Sequence, residues 1–247
     1  MRISVRKATF VCGILATCLL AGARTAHAQQ ELIKTGFVAV NFGAQSTQRE
    51  LATSQTSTIY DETATITSSQ PIHNGPILEI GGGYRVWPNV TVGARFSTFG
   101  FGRTSESTVV ASIPDPVAYN RPKTVTQSTS DLTHSEQGMH IQATWFKAVT
   151  PRMDISLSGG PSFIHVSQQL TANVTVPPGT QTIVATMEMQ SGTAIGFNVG
   201  FDGAFMFNPQ YGLGLFVRYT QGTVDLPAVT GLKVGGLQSG LGVRVRF

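Results

Sequence analysis

Cysteine and charge are both scarce in this chain. Its two cysteines, Cys12 and Cys18, lie near the N-terminus, and none follows. Disulfides, thiolate metal sites and a cysteine nucleophile are therefore excluded from everything beyond residue 28. Charged residues make up 12% of the chain, and the formal net charge of +4 is misleading. Arg2, Arg6, Lys7 and Arg24 sit in an N-terminal stretch without acids; without them, 13 basic residues face 13 acidic ones. A neutral chain offers no electrostatic footprint for nucleic acid, and none is expected as a partner. No helical period follows the N-terminal segment. No two histidines share a strand face at metal-ligand spacing, so no metal or cofactor is expected. Gly81-Gly82-Gly83 is no phosphate loop, because it lies within an alternating segment and no helix follows.

The N-terminus has its own grammar. A basic start (Arg2, Arg6, Lys7) precedes an apolar run from Ala8 to Ala21 and the A-x-A sequence Ala26-His27-Ala28. This reads as a secretory signal peptide over residues 1–28, with a mature domain over 29–247. The run is shorter than the roughly 20 apolar residues a spanning helix needs. Thr17 before Cys18 departs from the small residue expected at a lipidation site.

The rest reads as strands. Three sharp turns, Trp87-Pro88-Asn89, Thr150-Pro151-Arg152 and Asn208-Pro209-Gln210, each separate two alternating segments. Eight strands result, at about 34–44, 75–86, 90–101, 137–148, 153–166, 191–207, 211–221 and 236–247. Between the tight hairpins lie long stretches rich in Ser, Thr, Gln and Pro, at 45–74, 102–136, 167–190 and 221–235. The third carries Pro177-Pro178-Gly179 at its centre and reads as a hairpin tip, which would carry its strands beyond the membrane; the first and second stretches are Thr-rich too and would extend in the same way. Strict alternation of short and long connections, with an even strand number, is the topology of a transmembrane barrel.

Alternation alone fits an apolar face turned inward or outward, and the opposite face decides. Leu78, Ile80, Tyr84 and Val86 oppose Glu79, Gly81, Gly83 and Arg85; Val90, Val92, Ala94 and Phe96 oppose Thr91, Gly93, Arg95 and Ser97. Later strands repeat this, with Ile195, Phe197, Val199 and Phe201 against Ala194, Gly196, Asn198 and Asp202. Small residues suit the lumen of an eight-stranded barrel, which side chains only just fill. The bulky face therefore meets lipid. Tyr84, Trp87, Trp145, Phe207, Tyr211 and Phe247 fall near the turn end, and Phe42, Phe163 and Tyr219 near the other, as interfacial girdles.

Two inward ion pairs are expected across tight turns, Glu79 with Arg95 and Asp202 with Arg218. Arg244, Gln142, Asn198 and His140 would join them into one lumen network, since buried charges must be paired. Such a network fits a filled lumen and a gated narrow pore alike. His134, beside Asp131 and Ser135, is the one place where a rim-type hydrolase triad could be sought.

The final strand puts Leu241, Val243, Val245 and Phe247 on one face, with Gly240, Gly242, Arg244 and Arg246 on the other. Together with Gly82-Gly83-Tyr84-Arg85-Val86-Trp87-Pro88-Asn89, it resembles the small outer-membrane β-barrel superfamily of OmpA/OmpX-type domains. The resemblance covers essentially all of 29–247. It implies an all-β, eight-stranded antiparallel up-and-down transmembrane barrel in the outer membrane of a Gram-negative cell, with short periplasmic turns and long extracellular loops. It also implies lipid and lipopolysaccharide surroundings, and recognition of Leu241, Val243, Val245 and Phe247 by the barrel-assembly machinery. The expected role is non-enzymatic, a structural or surface-interaction protein. The alternatives are a small porin-like channel for ions or small hydrophobic solutes, and a lipocalin-like soluble barrel.

Overall fold

Eleven strands form among the described residues. The computed structural model describes residues 35–47, 49–59, 61–100, 104–115, 117–118, 120–175, 177 and 182–247. The expected signal peptide over 1–28 and the Pro178-Gly179 tip lie outside the described residues. The strands are β1 (Gly36–Ser46), β2 (Arg49–Ile59), β3 (Glu62–Ile72), β4 (Gly75–Trp87), β5 (Val90–Phe99), β6 (Thr104–Ile113), β7 (Lys123–Thr150), β8 (Met153–Thr175), β9 (Val184–Met206), β10 (Tyr211–Leu226) and β11 (Val229–Arg246).

Eight of them close into an antiparallel ring in the order β1, β4, β5, β7, β8, β9, β10, β11 and back to β1. The closing seam runs unbroken from Phe37↔Arg246 to Ser46↔Leu237. At its periplasmic end the Phe247 carbonyl accepts from Thr35 N at 2.7 Å and Gly36 N at 2.8 Å. A closed ring leaves no edge, so the backbone is satisfied without water. The three proline-containing turns stand where the sequence places them. At the third, the Asn208 side chain accepts from Gln210 N and Tyr211 N at 2.9 and 2.8 Å, the usual way an Asn stabilises a turn.

The apolar face points outward. Ile80, Val92, Phe96, Ile195, Phe201, Leu215 and Leu241 are all exposed, whereas Glu79, Arg95, Asp202 and Arg218 are buried. Tyr84, Trp87, Trp145, Phe207 and Tyr211 are exposed as well, beside or within the strand ends at the short turns. This outward band, inverted relative to a soluble protein, is that of a membrane barrel and runs counter to the lipocalin-like alternative.

The long polar connections are the main correction to the sequence reading. Segment 45–74 is not a loop: β2 and β3 pair over eleven positions, from Arg49↔Ile72 to Ile59↔Glu62. Segment 102–136 holds β6 and the first half of β7. Segment 221–235 is a β10–β11 hairpin with a tight turn at Pro227–Ala228. Thr and Ser have high or tolerable strand propensity, and their alternation with Val, Ile and Ala is a strand signal that polar composition masks. Strands β2, β3, β6 and the outer half of β7 form a second sheet, so β7 belongs to both. Its inner face buries Ile66, Val109, Ala111 and Ile113 with Ile183, against Val174 and Ala185 of the β8–β9 extension. Its outer face carries hydroxyls in register, as in the row Thr56, Thr65, Ser112, Thr124; Thr56, Thr65, Thr67, Thr124 and Thr126 are exposed.

A second apolar cluster seals the outer mouth. Leu51 of β2 and Ile72 of β3 insert among Ile164, Val166, Leu170, Val224, Leu226, Leu232 and Val234 of the barrel's inner wall. Truncating a buried Leu of this kind costs about 2–5 kcal/mol. Leu51→Ala is thus expected to speed protease cleavage within the β2–β3 hairpin on intact cells while leaving the barrel's heat-resistant mobility unchanged. Equal cleavage rates would show that the hairpin is held by something else.

Candidate functional site

The lumen is built in layers, and each follows from inward parity. Beneath the apolar seal lies a polar layer centred on Glu136. Its carboxylate accepts from Gly235 N at 3.0 Å and Gln45 Nε2 at 3.1 Å, and it stands 3.3 Å from His134 Nε2 and 3.5 Å from Arg49 Nη1. Gln238 donates to Gln45 at 2.8 Å, and His134 bonds Gln168 through Nδ1. This layer lies beyond the outward apolar band, which on β7 runs from Met139 to Trp145. Burial alone would push the Glu136 carboxyl upward; His134, Arg49 and Gln45 outweigh it and hold the group below the ordinary carboxylate value.

The next layer brings together all five charged residues picked out from the sequence. Glu79 Oε1 accepts from Arg95 at 2.9 Å and from Asn41, and Glu79 Oε2 pairs with Arg218. Asp202 Oδ1 accepts from Arg244 at 2.8 Å; its Oδ2 stands 3.7 Å from Arg218 and 4.0 Å from Arg95. Arg244 also donates to Asn41. Arg218 therefore bridges the two expected pairs, which form one cluster. Glycines on facing strands make room for it: a Cβ at Gly214 would lie 2.8 Å from the Arg244 guanidinium carbon.

His140 and Gln142 belong to a neighbouring branch. His140 sits between Ser97 and Ser162 at 2.9 and 2.8 Å, Asn198 donates to Ser162 at 2.9 Å, and Gln142 donates to Asn198. The last layer was not foreseen. Arg246 donates to Asp154 at 2.6 Å, and Phe37 and Phe146 meet edge to face at 5.4 Å across the periplasmic end. Phe146 shares the parity of His140 and Gln142, so its inward direction follows from the same alternation. The cavity between these groups is about 10 Å³, room for roughly one water.

The outer-rim triad does not assemble. His134 is not in a loop but on β7, buried and committed to Gln168 and Glu136. Alternation turns Ser135 to the other face, and Asp131 is exposed in a left-handed conformation (φ 63°) at an irregularity of the β6–β7 ladder.

Two outcomes are expected. Glu79→Ala strands Arg95 and Arg218, and breaking such a buried pair costs about 3–5 kcal/mol. The compact form in SDS should therefore convert to the slow band at a clearly lower temperature, whereas Asp131→Asn, which tolerates the left-handed backbone, should leave it unchanged. Glu136 has a folded pKa below its unfolded value, about 4.3. Its contribution is present above that value and is lost as pH falls through the lower folded one. Hydrogen exchange in β2 and β3 should thus stay slow at pH 5 and quicken only below about pH 4; quickening near pH 6 instead would assign the transition to another group.

Neither a family model nor a curated protein matches the chain. Among solved structures it is similar to Neisserial surface protein A (NspA), at 15% identity over 86% of this chain and 96% of that one, with a TM-score of 0.43. It is also similar to the outer membrane protease OmpT from Escherichia coli, at 7% identity, 85% and 97% coverage and a TM-score of 0.44. A third is Ail, the attachment invasion locus protein of Yersinia pestis, at 11% identity, 85% and 99% coverage and a TM-score of 0.36.

Proposed function

We propose that this protein is an integral outer-membrane barrel with a sealed lumen, acting in surface interaction or envelope structure through its extracellular β-module. The observation that carries the reading is the stack of closed layers: aliphatic at the outer mouth, paired charges at the centre, Phe37 and Phe146 at the base. A polar path across the membrane is interrupted at each. The extracellular sheet supports the second half. It is anchored by its own apolar core and offers a broad hydroxyl-bearing face, whereas a disordered loop would pay an ordering cost on binding. The surrounding partners are outer-membrane lipid and lipopolysaccharide. The exposed Leu241 and Val243 with Phe247, and Val245 of the same parity, are the proposed contact with the assembly machinery. The role is non-enzymatic.

A channel for small hydrophobic solutes is the second reading, favoured by the aliphatic inner wall that Leu51 and Ile72 occupy. Planar-bilayer recording of protein that is heat-modifiable and recovered from the outer membrane separates the two. The sealed barrel is expected to show no stable open level, in the wild type or in Leu51→Ala. Steady conductance that changes in Arg95→Ala or Arg218→Ala would establish the channel. Recovery in the soluble periplasm without a heat shift would overturn both.

A further inference from the structure

The exposed charge of the barrel is divided by end. On the long-strand side Glu50, Asp61, Glu106, Asp131, Glu188 and Asp225 are exposed. At the short-turn end the exposed charges of the described residues are two cations, Lys147 and Arg152. The acid nearest to them in sequence, Asp154, is buried and held by Arg246. Among the described residues neither cation meets a carboxylate.

Both cations stand where lipid headgroups lie. Lys147 has the outward parity of Trp145 and Val149, its exposed neighbours along β7. Arg152 is in the β7–β8 turn, and its carbonyl accepts from Met206 N at 2.7 Å, which ties the turn to the end of β9. The exposed Trp87, Trp145 and Phe207 mark the interface at this level. A lysine beside such a girdle lays its stem along apolar surface and puts its ammonium among the headgroups.

A dent lies beside them in the apolar band. Lys147, Ile155, Gly203 and Leu215 form one cross-strand row over β7, β8, β9 and β10. Gly203 has the outward parity of the exposed Phe201 and Phe205, and a Cβ there would meet nothing within 4 Å. Among Phe, Ile and Leu, the missing side chain leaves a groove open to hydrocarbon. From Arg152 up β8 to Ile155, in the Gly203 row, the strand rises about 10 Å, so an acyl chain whose phosphate sits at Arg152 passes over the groove.

We propose that Lys147, Arg152 and the groove at Gly203 bind one anionic phospholipid of the periplasmic leaflet. Its phosphate lies between the two cations and an acyl chain runs over Gly203. A zwitterionic lipid brings its own amine to the same place and gains less. Peptidoglycan also carries anionic groups, but it has nothing to fill an apolar groove. The site rests on the barrel reading and is indifferent to whether the lumen is sealed.

The chain's two tryptophans, Trp87 and Trp145, report on this end. The barrel is reconstituted in phosphatidylcholine vesicles with a minor fraction of lipid brominated in its acyl chains. Brominated phosphatidylglycerol should quench tryptophan more strongly than brominated phosphatidylcholine at equal mole fraction. Each surface cation is worth about fivefold in anionic-lipid affinity. Lys147→Gln combined with Arg152→Gln should therefore lower the preference about twenty-five-fold and abolish the excess quenching. Gly203→Leu should reduce the excess with both cations in place, and Lys233→Gln, at the opposite end, should preserve it. Each variant is used in its heat-modifiable form. Equal quenching by the two lipids, or an excess that survives in the double variant, would overturn the site. Binding to isolated peptidoglycan through the two cations, without a phosphatidylglycerol excess, would overturn it in favour of the cell wall. No quenching by either brominated lipid would overturn the barrel reading itself.

Discussion

A strand in hydrocarbon has no water to satisfy its backbone, and in this protein the β1–β11 seam is where that demand is finally met. Once the ring is closed with eight members, its bore is set, and with it the side chains that can point inward. A bore that narrow forces arginines to lie flat across neighbouring strands. That is why glycines such as Gly81, Gly200 and Gly214 stand beneath them, and why each carboxylate is contacted from more than one wall. The charged cluster is thus a consequence of closure as much as a feature added to it.

The barrel was largely legible in the sequence because period-two alternation is strong where one face meets lipid. Leu213, Leu215 and Val217 against Gly212, Gly214 and Arg218 leave little choice of face. The inward charges were legible for the same reason: parity and distance from a tight turn bring Glu79 toward Arg95 and Asp202 toward Arg218. Their merger into one cluster was not legible, because it depends on how β4 and β10 face each other across the bore, and no local pattern encodes that.

The strands beyond the membrane were only partly legible, for a different reason. Stretches such as Thr63-Ala64-Thr65-Ile66-Thr67 alternate as cleanly as any membrane strand, yet their hydroxyls suggest loop composition. Pairing between β3 and β6, separated by two barrel strands, is a tertiary choice. His134 suffered from this error, since its inward direction follows only once β7 is known to be continuous. Asp154 and Phe146 were overlooked because each lies close to a turn, where a polar or aromatic residue already has an ordinary explanation.

Continuity of β7 has a mechanical meaning. A single strand of 28 residues belongs to the second sheet at one end and to the membrane wall at the other, with a ladder irregularity at the left-handed Asp131 where the two meet. Traction on the outer sheet therefore reaches the barrel along a strand axis. It loads the β5–β7 and β7–β8 ladders in shear, many bonds at once, whereas a flexible tether would be peeled one bond at a time. A pull along β7 is thus shared by many bonds on either side of it.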